Sequence, residues 1–244
     1  VTITIERFDQ RTWDDALLES LFAEGFPPFI IADVAAGALI GPVRERFGHL
    51  DIVLVDDAVP VAAGWGVPIA WDGAAATLPS GYTDSLRRAI DLSDAGGAAD
   101  TFVICGGIVH PERKGTGLAG ELVQALCALA DAPGWPRVIA PVRPTLKHRY
   151  PLQPIDEYVG WTRGDGQPFD PWLRLHVRLG GRVLGTAPAS QTMTGTVAAW
   201  EGWTGLALPA SGTYVIDGGL SPLVVDRGAD LGTYVEPNVW IRHR

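Results

Sequence analysis

The residues best suited to chemistry lie between Thr101 and Asp131. A near-continuous apolar run, Thr101 to Val109, is followed by His110, Pro111, Glu112, Arg113 and Lys114, and then by Gly115, Thr116, Gly117, Leu118 and Ala119. Such a run predicts a central strand buried on both faces. Glycines after a strand let the backbone turn without Cβ clashes. Successive backbone N–H groups then point into the turn, and the start of the next helix adds partial positive charge. Arg113 and Lys114 reinforce the sign. The unit is an anion site suited to phosphate or pyrophosphate.

Two readings of this turn fail on their flanks. A triphosphate-binding loop ends in Gly-Lys-Ser/Thr, whereas Leu118 and Ala119 follow Gly117. Gly115, Gly117 and Gly120 meet the dinucleotide string Gly-x-Gly-x-x-Gly literally. That fold wants the string beside its first strand, with an acid about 20 residues on. Here strands are predicted before it, and Pro133 to Arg137 supplies no acid.

A third reading fits the flanks. Val109-His-Pro111 followed by Lys114-Gly-Thr-Gly117-Leu-Ala119 resembles motif A of the GNAT superfamily, Arg/Gln-x-x-Gly-x-Gly/Ala after a strand ending Val-x-Pro. The order of predicted elements over residues 1–142 also resembles that family. The resemblance implies that the backbone of Lys114, Gly115, Thr116, Gly117, Leu118 and Ala119 holds the pyrophosphate of acetyl-CoA or another acyl-CoA. It implies that Ile108 and Val109 hydrogen-bond the pantetheine arm and stabilise the developing oxyanion. No metal is implied. A second, weaker match is His176 with Gly180, where the family has Tyr-x-x-x-Gly, and it implies that His176 protonates the departing thiolate. The implied reaction is direct acyl transfer from CoA to an amine. Candidate bases are His110, Glu112, Glu201 and Glu236. Cys105, inside an apolar strand, reads as packing and not as a nucleophile. Lys114 stands where Arg or Gln is usual, and His176 where Tyr is usual. Two alternatives therefore stay open: a CoA-binding protein without catalysis, and a transferase using a carrier-protein thioester or aminoacyl-tRNA.

The elements that must position these residues can be read from periodicity and caps. Thr2 to Glu6 alternates like a strand, and Thr12 to Glu24 reads as an amphipathic helix with Leu17, Leu18, Leu21 and Phe22 as its stripe. Asp33 to Phe47 predicts a second helix, weakened by Gly41 and Pro42. Asp51 to Val55 and Val59 to Val67 form a hairpin turning at Asp56–Asp57. Pro68 to Ala99 reads as an insertion on the hairpin edge, with a helical stretch near Asp84 to Leu92. After the glycine turn comes a helix with Leu118, Leu122, Leu126 and Leu129 on one side, then a strand from Arg137 to Val142. Pro144 to Pro168 is irregular. Asp170 caps a helix that starts at Pro171 and stops at Gly180–Gly181. Arg182 to Gly185, Thr192 to Val197 and Thr233 to Ile241 read as strands, the last with a bulge or edge at Pro237. The fold class is α/β (α+β): a mixed, mostly antiparallel central sheet flanked by helices. We expect one domain over 1–244, elaborated from about residue 144 onward.

Composition narrows the partners. The 244 residues are 47% hydrophobic, enough for a sizeable core, and the formal net charge of −9 argues against nucleic acid. The local exception, Arg143, Lys147, His148 and Arg149, is either a solvated loop or a contact for an anion. No apolar run reaches the roughly 20 residues of a membrane span. Two cysteines with no framework, and an N-terminus without a leader's layout, predict a cytoplasmic protein. The last third carries surplus aromatics, among them Trp161, Trp172, Trp200, Trp203 and Trp240. They suit a pocket wall, ordinary core or a homodimer interface alike. With the insertion, they predict a partly enclosed site for a small-molecule amine.

Overall fold

The computed structural model describes residues 3–10, 12–13, 16, 21 and 25–244. Among these are the strands β1 (Ile3–Arg7), β2 (Ile52–Asp56), β3 (Val59–Ile69), β4 (Thr101–Val109), β5 (Arg137–Val142), β6 (Arg182–Gly195), β7 (Gly212–Tyr214), β8 (Leu223–Asp226) and β9 (Leu231–Arg242). They form one sheet in the order β1-β2-β3-β4-β5-β9-β8-β7, with β6 branching from β9. Only β4 and β5 run parallel; every other pair is antiparallel. The mixed, mostly antiparallel class expected from the sequence is what forms. The helix expected over Thr12 to Glu24 lies largely outside the described residues.

The helices are α1 (Val34–Phe47), α2 (Tyr82–Asp94), α3 (Leu118–Ala128), α4 (Ile155–Tyr158), α5 (Pro171–Arg178) and α6 (Val197–Thr204). Asp33 caps α1 by accepting from the Ala36 N–H at 2.9 Å. Asp170 caps α5 by accepting from Trp172 and Leu173, and Pro171 occupies the first turn where its missing N–H costs nothing. Adjacent residues of β3 point to opposite faces. A Cβ at Gly64 would meet Leu126 of α3, whereas the Trp65 ring packs on Tyr82 of α2 and under Arg44 of α1. So α3 covers one face and α1 with α2 the other.

The β2–β3 turn is at Asp57 and Ala58, both in the left-handed region, one residue beyond the position expected. The Pro68 to Ala99 segment is not on an edge. It links the two central strands β3 and β4, and α2 packs against α1, β3 and β6. Its entry is pinned where the Tyr82 N–H donates to Ser190 Oγ at 2.8 Å. The two strands expected between Arg182 and Val197 are one strand, β6, and Val197 opens α6 behind a Thr196 cap. Pro237 does mark a bulge. The β6–β9 register jumps from Ala187↔Asn238 to Gln191↔Glu236, opposite a stretch of β9 paired to neither β5 nor β8. A proline there removes no ladder bond.

The surplus aromatics are mostly core. Trp200 and Tyr234 pack with Phe29 and Met193 in a second apolar cluster. Tyr150, Tyr158, Trp161 and Phe169 pack on one another. Among the described residues, no helix is long and apolar enough to cross a membrane.

Candidate active site

β4 is paired to β3 along its length but to β5 only through Thr101, Phe102 and Val103. From Ile104 the two strands diverge. The freed edge of β4 carries backbone N–H and C=O groups into a wedge, and buried polar backbone needs partners. The wedge is a cavity of about 350 Å³ between β4 (Ile104 to Val109) and β5 (Ala140 to Val142). Leu122, Val123 and Leu126 of α3 form its floor, and Trp172 and His176 of α5 close its side. Cys105 also faces it, but burial pushes that thiol far above its usual range, so it is packing, as expected.

The glycine turn stands at the mouth. Gly115 has φ +82° and Gly117 φ +97°, with open space where a Cβ would go, so the requirement is backbone conformation and not room. Lys114 and Ala119 line the cavity. In the first turn of α3 the Gly120 N–H bonds back to the Gly117 carbonyl at 2.9 Å, and the helix N-terminus adds partial positive charge at the turn. Arg113 is committed elsewhere, donating to Asp56 at 2.6 Å, and Thr116 Oγ1 donates to the Arg113 carbonyl. The turn therefore offers glycine backbone and, among the described residues, the Lys114 ammonium without a side-chain partner, which is chemistry suited to an anion. Behind it lies the apolar wedge, along which the edge of β4 past Val103 is not paired to β5.

A second cavity, of about 500 Å³, opens on the far side of β4. The two share Phe26, Gly106, Gly107 and Ile108 in their walls. Here β4 is kinked: the register to β3 shifts between Trp65↔Gly106 and Gly66↔Ile104, leaving Cys105 in the bulge. Bulges of this kind re-aim backbone groups. The second cavity has a mostly apolar lining that carries three charged residues, Asp9, Arg44 and Asp51. Arg44 donates to Asp51 and lies 4.6 Å above the Trp65 ring.

His176 is 2% exposed and lines the first cavity. Its ring meets Trp172 edge-on at 4.6 Å, and its Nδ1 is 2.8 Å from His243 Nε2. Its Nε2 is buried with no partner among the described residues. Burial, with a smaller contribution from His243, lowers its pKa to about 3. The ring is neutral at physiological pH.

The other candidates are placed differently. His110 lines neither cavity, and its Nδ1 accepts from the Glu112 N–H, capping the turn after β4. Glu236 is fully buried, receives bonds from Arg143 and from the Tyr234 hydroxyl, and lines neither cavity. Burial raises its pKa against the pull of Arg143. It anchors Arg143, which does line the first cavity. Glu201 accepts from the Leu208 N–H, away from both cavities. Lys147 is neither a solvated charge nor an anion contact: its buried Nζ donates to the Tyr150 and Leu220 carbonyls, both at 2.7 Å. Of the surplus aromatics, only Trp172 reaches the donor cavity. Arg44, Asp51, Trp65 and His243 escape a reading of the sequence, because each becomes a site residue only through pairing with distant chain. No group of three or more His, Cys, Asp or Glu that could hold a metal ion occurs among the described residues.

No protein-family model matches the chain. It is 35% identical over 216 residues to the arginine N-acetyltransferase avaD of Aspergillus versicolor, covering 80% of this chain and 73% of the relative. Two solved structures share its fold. The loading GNATL domain of CurA from Lyngbya majuscula aligns over 100% of this chain and 98% of its own, with a TM-score of 0.55 at 13% identity. The GphF GNAT-like decarboxylase in complex with isobutyryl-CoA aligns over 78% and 90%, with a TM-score of 0.54 at 22% identity. The parted strands and the glycine turn agree with the kinship to avaD: the chain belongs to the GNAT superfamily and is an acyl-CoA-dependent N-acyltransferase.

Proposed function

We propose that the enzyme acetylates the amine of a small cationic amino acid, with arginine as the first choice. The observation that carries this reading is the charge pattern of the second cavity. Its described walls hold one guanidinium, Arg44, and two carboxylates, Asp9 and Asp51. Arginine carries the inverse set: two cations and one carboxylate. Arg44, already steadied by Asp51 and Trp65, is suited to a bidentate grip on the acceptor carboxylate. The name of the 35% identical relative points the same way.

In this reading Lys114 and the turn from Gly115 to Ala119 hold the CoA pyrophosphate, and the Val109 N–H, on the open side of β4, receives the arm and the oxyanion, while the Ile108 N–H faces β3, as does that of His110 two residues on, which donates to the Val61 carbonyl. The neutral amine attacks across Gly106–Gly107. His176 gives a proton to the leaving thiolate. Asp9, exposed at the rim, is the described carboxylate best placed to draw the ammonium proton away through water. The cytoplasm is the compartment that such a use of acyl-CoA calls for.

A thiol-release assay with acetyl-CoA tests the acceptor. Arginine should drive CoA release, and agmatine, which lacks the carboxylate, should fall by about 10- to 100-fold in kcat/KM, the loss of one charged hydrogen-bonded contact. The reading fails if cationic amino acids give only background hydrolysis while another amine is turned over.

A further inference from the structure

His176 and His243 form a bridge of two imidazoles from the donor cavity to another surface of the protein. His176, on α5, faces the cavity. His243 follows the end of β9 and is tied down by its backbone N–H, which donates to the Val138 carbonyl at 2.9 Å. It lines a separate open groove of about 270 Å³ together with Cys127, Asp131 and Arg244. Arg244 is paired with Asp131, so the groove's flanking charges compensate each other.

Two ring nitrogens at 2.8 Å share one hydrogen. If His243 donates from Nε2, His176 must carry its own proton on Nε2, the nitrogen with no partner among the described residues. Burial works against a positive charge on either ring. A lone His176 could not wait as an imidazolium acid. A pair can move a proton without ever holding a charge.

We propose that His243 is the proton feeder of His176, and that the two rings relay a solvent proton to the departing CoA thiolate. When the C–S bond of the tetrahedral intermediate breaks, sulfur keeps the electron pair and takes the His176 Nε2 proton. His176 Nδ1 takes the Nε2 proton of His243. His243 Nδ1 takes a proton from water in the groove. Both rings finish neutral in the opposite tautomer, and exchange with solvent restores the first. His176 is the catalytic residue in this scheme and His243 acts through it. The inference rests on acyl-CoA being the donor, which is checked separately by whether acetyl-CoA raises the melting temperature of the unaltered enzyme.

The test uses two variants. His243→Ala removes the feeder and opens the groove beside His176. Its kcat should fall by about 10²-fold, the lower range for general acid catalysis, while KM for acetyl-CoA holds. Added imidazole should restore a concentration-dependent part of kcat. His243→Asn keeps an N–H to hold the His176 tautomer but cannot pass a proton on, so it should be as slow as His243→Ala and should not respond to imidazole. Full activity in His243→Asn would overturn the relay and leave only a positioning role. Failure of imidazole to rescue a folded His243→Ala enzyme would overturn it too. Should His243→Ala not fold, the His243→Asn rate alone decides.

Discussion

The Trp65 indole lies against the backbone of Gly106, so close that a Cβ built on Gly106 would come within 2.4 Å of Nε1. This contact sets the wall between the first cavity and the second, the proposed acceptor site. Gly106→Ala must push the indole away, at a cost of about 1–3 kcal/mol for overpacking. Because Trp65 also supports Arg44, the variant should lose acceptor turnover well before it loses its fold. Thermal melting and thiol release, measured on the same preparation, separate the two.

Gly117 has a left-handed φ that a β-branched residue adopts only with strain. Gly117→Val should deform the cradle. Saturating acetyl-CoA at about 100 times Kd stabilises a folded protein by about 2.7 kcal/mol. That upward shift in Tm should be seen in the unaltered enzyme and be absent in the variant. An unchanged shift would remove the phosphate role from the turn.

Arg44→Gln is shorter, keeps some hydrogen bonding and loses the charge that faces the acceptor in the proposed reading. KM for arginine should rise by about 10- to 100-fold, from a lost charged hydrogen bond, with KM for acetyl-CoA unchanged. Equal rises in both would mean that the variant had disturbed β4 instead.

His176 has its pKa moved from 6.5 to about 3 in the folded protein. Between those values the unfolded chain binds a proton that the folded chain does not. Stability is therefore complete above pH 6.5 and is lost as pH falls toward 3, by an amount on the order of 3–5 kcal/mol. His176→Phe should flatten that part of the stability curve. Urea midpoints across roughly pH 4 to 8 measure it, with the slope m confirming a two-state transition.

Glu236→Gln tests an anchor against a base. Removing the charge beneath Arg143 should lower stability by about 1–3 kcal/mol, because one of the two donors, Arg143 or the Tyr234 hydroxyl, loses its acceptor. Turnover by the folded variant at saturating substrates should stay within a few-fold of the unaltered enzyme. A loss of several orders of magnitude in kcat would return Glu236 to the chemistry.

The donor side was legible because its determinants are local. Thr101 to Val109, the glycine turn and the Asp170–Pro171 start of α5 are each set by residues within one or two turns, and all formed where expected. The acceptor side was not. Asp9, Arg44, Asp51 and Trp65 come from separate elements and share no spacing. His243 meets His176 across 67 residues. β6 reads as two strands because Pro188 to Ser190 bulge out, yet β9 continues past them as a template. Val197 to Thr204 hides as a helix because its apolar residues do not keep to one face; Thr196 was the signal that could have found it.

The three-residue seam between β4 and β5 makes the sheet two panels with a short common hem. One panel carries the acceptor wall and the other carries β9 with its branches. A pantetheine arm lying along the open edge of β4 would add rungs that the protein lacks, so the co-substrate is also a structural member. Amides near Ile108 should exchange with deuterium faster in the free enzyme than with donor bound. A donor cut short of its arm would leave the panels unstitched, however well its phosphates were held.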